Sequence, residues 1–109
     1  MDNTIMRTML FDFYGDLLTE KQREYYDLHF NADLSLQEIA EQSGVSRQAV
    51  WDIIRRAEQS LVEIEDKTGL VARAVRRRKG LEELEEIISR LPEGEDKKTM
   101  LKIMSELQD

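Results

Sequence analysis

The chain contains no cysteine, one proline and one histidine in 109 residues. Without thiols there is no disulfide framework and no thiolate metal site. With a lone imidazole, His29, a histidine metal cluster is excluded and a serine-histidine-aspartate triad is not expected. No apolar run approaches the roughly 20 residues that span a bilayer, so no membrane insertion is expected. The opening Met1–Leu18 is interrupted by Asp2, Arg7, Asp12 and Asp16, unlike a secretory leader. No nucleophile-base pair, phosphate loop or metal-ligand spacing is visible. The expectation is a cytoplasmic, non-enzymatic protein with no metal and no cofactor.

Glycine is also sparse, at five residues, and the composition is 40% hydrophobic and 36% charged. That balance is typical of a soluble globular chain. With few helix breakers and abundant Leu, Glu, Arg and Gln, it predicts an all-α fold. A core of this size is modest, and an elongated helical layout calls for a partner surface to complete its burial.

The net charge of -7 argues against a simple phosphate-coating protein. Its position is more informative than its size. Residues 1–69 hold 7 Lys/Arg and 14 Asp/Glu, whereas 70–109 hold 9 of each, so all the excess acid lies in the first segment. In the second segment, Arg73, Arg76, Arg77, Arg78 and Lys79 are followed at once by Glu82, Glu83, Glu85 and Glu86. A single helix through both blocks would be basic at its start and acidic at its end, against the helix dipole, unless a break intervenes near Gly80. Three readings of these blocks stay open: a solvated helix face, antiparallel self-pairing, and an anionic partner, such as a structured RNA or an acidic protein, for the Arg73–Lys79 cluster.

Periodicity writes the helices. Ile5, Met9, Leu10, Phe13, Tyr14 and Leu17 recur at spacings of three and four, which predicts a first helix ending at Leu18. Thr19 with Gln22 forms a capping box for a second, which carries Tyr25, Tyr26, Leu28 and Phe30 and breaks at Asn31-Ala32-Asp33. Tyr25, Tyr26 and Phe30 read as core, because no basic residues interleave with them to make a stacking platform. His29 reads as a residue whose charge suits the end of that helix. Ser35 with Glu38 repeats the capping box for a short helix from Leu36 to about Gln42, stopped by Ser43-Gly44. Ser46 caps a fourth helix with Val50, Ile53, Ile54, Ala57, Leu61 and Ile64 on one face, ended by Thr68-Gly69. Beyond it, Leu70, Val71, Ala74 and Val75 form one stripe and Leu81, Leu84, Ile87, Ile88 and Leu91 a second. Pro92-Glu93-Gly94 is a linker, and Met100, Leu101, Ile103, Met104 and Leu107 mark a last helix. Met100 and Met104 read as adaptable packing or as a peptide groove. The stripe from Leu70 to Leu107 predicts a helical homodimer or a tail folded over its own domain.

Residues 36–55 fit a helix-turn-helix. Two helices meeting across a short turn need a small residue at the crossing, a glycine in the turn and aliphatics on both facing sides. Ala40, Gly44, Ile39, Val45, Val50 and Ile53 supply these at the required offsets. The chain therefore divides into a helix-turn-helix domain over 1–69 and a helical extension over 70–109. In the DNA-reading use of this motif the second helix presents its early residues, here Ser46, Arg47, Gln48, Trp51, Asp52 and Arg55, to the major groove. Arg47 suits guanine, Gln48 suits adenine, and Ser46 with the helix N-terminus suits a phosphate. Asp52 and the acidic first segment oppose that use. Trp51 is either a partly buried anchor for a neighbouring helix or an exposed contact for a protein or an unpaired base.

Three segments in order, Phe11-Asp-Phe-Tyr-Gly-Asp-Leu-Leu-Thr-Glu-Lys-Gln-Arg23, Ser35-Leu-Gln-Glu-Ile-Ala40 and Val45-Ser-Arg-Gln-Ala-Val-Trp-Asp52, carry a resemblance to the bacterial YlxM family of small helix-turn-helix proteins. The likeness is close over about residues 1–70 and looser in the tail. That family is similar in turn to the fourth region of bacterial sigma factors, which reads promoter DNA. The resemblance implies a cytoplasmic protein encoded beside the GTPases of the signal recognition particle, with an accessory or regulatory role in that pathway. Its implied partners are the particle's protein or RNA components, met through the Arg73–Lys79 cluster and the helix-turn-helix face. The alternative it implies is a transcription regulator bound to duplex DNA. Arg47 and Gln48 fall where the sigma helix makes base contacts. Trp51 and Asp52 depart from the basic or amide groups of that helix, and the family has a tyrosine where this chain has Trp51.

Overall fold

A computed structural model describes residues 3–108, and its regular elements are helical throughout. In chain order they are α1 (Asn3–Tyr14), a 3-10 turn (Gly15–Leu17), α2 (Glu20–Phe30), α3 (Leu36–Ser43), α4 (Arg47–Thr68), α5 (Leu70–Ser89) and α6 (Glu95–Leu107). The all-α class read from composition is therefore the observed one. Contacts group the chain into two compact units, the first ending at Val71 and the second beginning at Ala72. Among the described residues, no helix is long and apolar enough to cross a membrane.

Local chemistry sets most helix ends. The Thr19 hydroxyl accepts from Gln22 N at 3.2 Å while Gln22 Oε1 accepts from Thr19 N at 3.1 Å, so two orphan donors of α2 are satisfied reciprocally. Ser35 and Glu38 do the same for α3. The backbone N–H of Ser35, with its hydroxyl second, holds the Glu38 carboxyl below its ordinary range. At the other ends, Gly44 (φ 68°) and Gly69 (φ 66°) adopt the left-handed conformation that closes α3 and α4. A side chain with a Cβ is disfavoured there.

The first unit buries its apolar stripes around α4. Ile39, Val50, Ile54, Ala57, Leu61 and Val71 are all 0% exposed, and Tyr25 and Tyr26 are nearly so. Tyr25, Ile39, Ala40, Val50 and Ile54 form one cluster, with Val45, Ile53 and Phe30 packed against it. Phe11 stacks on Tyr26 at 5.2 Å between centroids, which ties α1 to α2. At the C-terminus of α2, His29 Nδ1 donates to the Leu34 carbonyl at 2.8 Å and closes the turn into α3.

The first helix differs from its periodic reading. It ends at Tyr14 and passes into the 3-10 turn, so Leu17 is 70% exposed while Leu18 is buried. A 3-10 turn advances fewer residues per turn than an α-helix, and the apolar register slips by one residue. The second unit differs too. α5 runs unbroken through Gly80, although an interior glycine costs about 1 kcal/mol relative to alanine. Lys97 of α6 holds the end of α5 and the turn after it, its Nζ donating to Ser89 O, Leu91 O and the Glu93 carboxylate. Arg77 Nη2 donates to Leu107 O at 3.0 Å, and Ile88 and Met104 are buried. α5 and α6 thus form an antiparallel hairpin around a very small core.

Candidate functional site

The helix-turn-helix positions one face of α4. Ser46 stands in extended conformation as the N-cap, its hydroxyl accepting from Ala49 N at 3.1 Å. That bond starts the helix and commits one lone pair of Ser46 to the chain itself. Val50, Ile54, Ala57 and Leu61 follow at helical spacing and turn inward. The opposite side must then point away from the core. Arg47, Trp51 and Arg55 form one exposed row a turn apart, and Gln48 and Asp52 form the next. All the proposed groove residues thus come together on a single surface.

The chemistry of that surface is mixed. Gln48 Nε2 donates to Asp52 Oδ1 at 3.1 Å, which fastens the amide to the half-buried Asp52. Asp52 therefore acts first on its own helix, holding the Gln48 amide by its nitrogen. Arg47 and Arg55 make no ion pair among the described residues. Trp51 is 40% exposed, so part of the indole faces solvent and part is covered. An indole left this open between two unpaired arginines is composition found at protein-binding hot spots.

The face continues further than the motif suggested. Between α1 and α4 lies an open groove of about 660 Å³ lined by Met6, Arg7, Leu10, Arg55, Glu58 and Val62 among others. Arg7 Nε pairs with Glu58 Oε1 at 2.8 Å on one wall. The Arg7 guanidinium also lies 4.7 Å from the centre of the Phe30 ring. Below it, the Tyr26 hydroxyl donates to Arg7 O at 3.3 Å. Burial pushes the Tyr26 phenol up to about 12, with Glu58 adding to the rise and Arg7 opposing it. Val62 is 49% exposed and extends the open row from Trp51 and Arg55. Arg7 and Glu58 carry no motif and are 51 positions apart, so only the packing of α1 on α4 reveals them.

The second predicted cluster is placed differently. Arg73, Arg76, Arg77, Arg78 and Lys79 are all exposed on α5. Successive residues turn by about 100° around a helix, so the consecutive Arg76–Lys79 run points to every side of α5 and makes no single basic face. Arg77 is already engaged with Leu107 O.

Fold and surface together define a helix-turn-helix protein. The sequence profile described as "Putative helix-turn-helix protein, YlxM / p13 like" (UPF0122) matches residues 1–103. The chain belongs to that family. It is similar to the UPF0122 protein of Halalkalibacterium halodurans, 43% identical over 108 residues and 99% of each chain. It is likewise similar to that of Geobacillus kaustophilus, 50% identical over 90 residues, 83% of this chain and 82% of the relative. A third relative, from Thermoanaerobacter sp., is 42% identical over 106 residues, 97% and 91% of the two chains.

Proposed function

We propose that this chain is a non-enzymatic accessory or regulatory protein of the signal recognition particle pathway. It acts in the cytoplasm by presenting the open face of α4 to a protein component of that pathway. The pathway comes from the YlxM resemblance. The observation that carries the mode of action is the character of the α4 face: Trp51 exposed, flanked by Arg47 and Arg55, with Asp52 holding Gln48. A surface of this kind, on a segment that holds all the molecule's excess acid, suits a protein partner better than a phosphate backbone. The adjoining groove between α1 and α4 gives the partner an apolar floor in Leu10 and Val62.

A second reading, sequence-specific binding of duplex DNA, is favoured by the exposure of Arg47 and Gln48 in the first turn of α4. Binding measured at moderate salt against the pathway's GTPases, the particle's RNA and duplex DNA separates the readings. The accessory role predicts binding to a GTPase that Trp51→Ala weakens by about 30-fold, the size of a hot-spot loss. Specific DNA binding near 10⁻⁸ M that disappears with Arg47→Ala would replace it with the second reading. RNA binding with no GTPase binding would refute the protein-contact mode.

A further inference from the structure

Within the first unit, α1 and α4 lie side by side and run in the same direction. Arg7 bonds Glu58 and Tyr14 bonds Glu65, each pair 51 positions apart, so seven residues of advance along one helix match seven along the other. The open groove of about 660 Å³ beside this contact has Asn3 to Leu10 of α1 as one wall and Arg55 to Glu63 of α4 as the other. Its floor is apolar: Leu10 and Leu61 are buried, Met6 is half-buried and Val62 is exposed.

The walls restrict the form of an occupant. A groove this open does not enclose a small molecule, whereas sites for such ligands bury most of the ligand. An extended peptide would gain no main-chain partners, because both walls are helices whose backbone groups are bonded within the helix. A third helix satisfies its own backbone and can lay one apolar side between two others, as in a helical bundle. The rim restricts its charges. Two arginines and two glutamates line the groove. Arg7 and Glu58 neutralise each other at 2.8 Å, whereas Arg55 and Glu63 make no ion pair among the described residues. With Gln59 between them, these two stand exposed on one row of α4, about 12 Å apart along the axis at about 1.5 Å per residue. The rim is therefore positive at one end, negative at the other and apolar between.

We propose that the α1–α4 groove receives an amphipathic helix of the protein partner, with an acidic residue against Arg55, two apolar residues one turn on against Met6, Leu10 and Val62, and a basic residue a further turn on against Glu63. Positions i, i+3, i+4 and i+7 share one face of a helix, so acid at i, apolar groups at i+3 and i+4, and base at i+7 meet the groove together. An acid early and a base late also suit the dipole of the incoming helix, which sets it running in the same direction as α4. The inference rests on the protein-contact mode proposed above and adds the form and polarity of what is bound.

The probe is a peptide of about 16 residues with Glu, Leu, Leu and Lys at that spacing, cross-linked on its far side to hold it helical, and titrated into the isotope-labelled full chain. Amide shifts should gather on Met6, Arg7, Leu10, Arg55, Gln59 and Val62. Val62→Lys, at an exposed position, should keep helicity and weaken binding at least tenfold. A peptide with its Glu and Lys exchanged should bind at least fivefold more weakly, because two facing pairs turn from attraction to repulsion. Arg55→Glu with Glu63→Arg should reverse that preference. No binding, shifts away from the groove, or binding indifferent to both Val62→Lys and the charge exchange overturns the proposal. The pathway reading is judged separately. A GTPase bound as well by Val62→Lys as by the wild type leaves that reading standing and removes this one, whereas peptide binding in the groove without GTPase binding does the reverse.

Discussion

Replacing Tyr14 by Phe removes one hydroxyl from the place where α1 meets the end of α4 and the two residues that follow Gly69. Tyr14 is 2% exposed, and its hydroxyl donates to Glu65 Oε1 at 2.6 Å. With that proton committed, the Thr68 hydroxyl donates to the Tyr14 oxygen, also at 2.6 Å. Glu65 Oε1 in turn accepts from Val71 N at 3.0 Å, serving the first turn of α5. Phenylalanine keeps the ring and its packing, so the loss is confined to hydrogen bonding. A bond to a charged acceptor contributes about 1.5–3 kcal/mol net. Glu65 is half-buried and Thr68 exposed, so water re-solvates both in the variant and a loss of about 1–1.5 kcal/mol is expected. Trp51, the sole tryptophan, lies on α4 of the same unit, and its fluorescence in urea follows that unit's unfolding. With a slope of about 1–1.5 kcal/mol per molar for so small a unit, the midpoint should fall by about 1 M at fixed protein concentration. Glu65→Ala should be coupled to Tyr14→Phe by about 1 kcal/mol in a double-mutant cycle. An unchanged midpoint, or strict additivity of the two substitutions, would refute the link.

Two further expectations concern the same unit. Ser46→Ala deletes the N-cap of α4 and should cost about 1 kcal/mol, with Ser46→Gly costing only a few tenths; equal losses in the two variants would show that the hydroxyl does not cap the helix. Alkali should act through Tyr26. Its phenol is raised from the model-compound value of 10.0 to about 12 in the fold, so its contribution is fully present below pH 10 and is lost as pH rises toward 12. Unfolding followed between pH 9 and 12 should show a steeper decline for the wild type than for Tyr26→Phe, and parallel curves would contradict the assignment.

The helix boundaries that could be read from the sequence are those set by short-range chemistry. Thr19, Ser35 and Ser46 reach backbone donors three residues away, and Gly44 and Gly69 satisfy a conformational demand of the turn itself. Such signals need no tertiary context. The helix-turn-helix core was legible for a related reason: the spacing of Ile39, Ala40, Val50 and Ile54 records which side of each helix turns inward. Leu17 shows the limit. Its spacing matches an α-helix, but the chain tightens at Gly15 and the side chain emerges into solvent. Lys97 carries no motif at all, and its role in closing the end of α5 exists only because the turn at Pro92 brings the two helices together.

By itself, then, the sequence determined the helical class, the capped starts and glycine stops of the first unit, and the membership of Ser46 through Arg55 in one helix-turn-helix. These follow from rules acting within about one turn of helix, where each residue's effect depends on near neighbours alone. Tertiary structure decided what those residues are available to do. It left Trp51 partly open to solvent, joined Arg7 to Glu58 across 51 positions, and carried α5 through Gly80 with its charges distributed around the helix. Exposure and pairing depend on which elements pack against which, and residues remote in sequence are near or far only once the chain has folded.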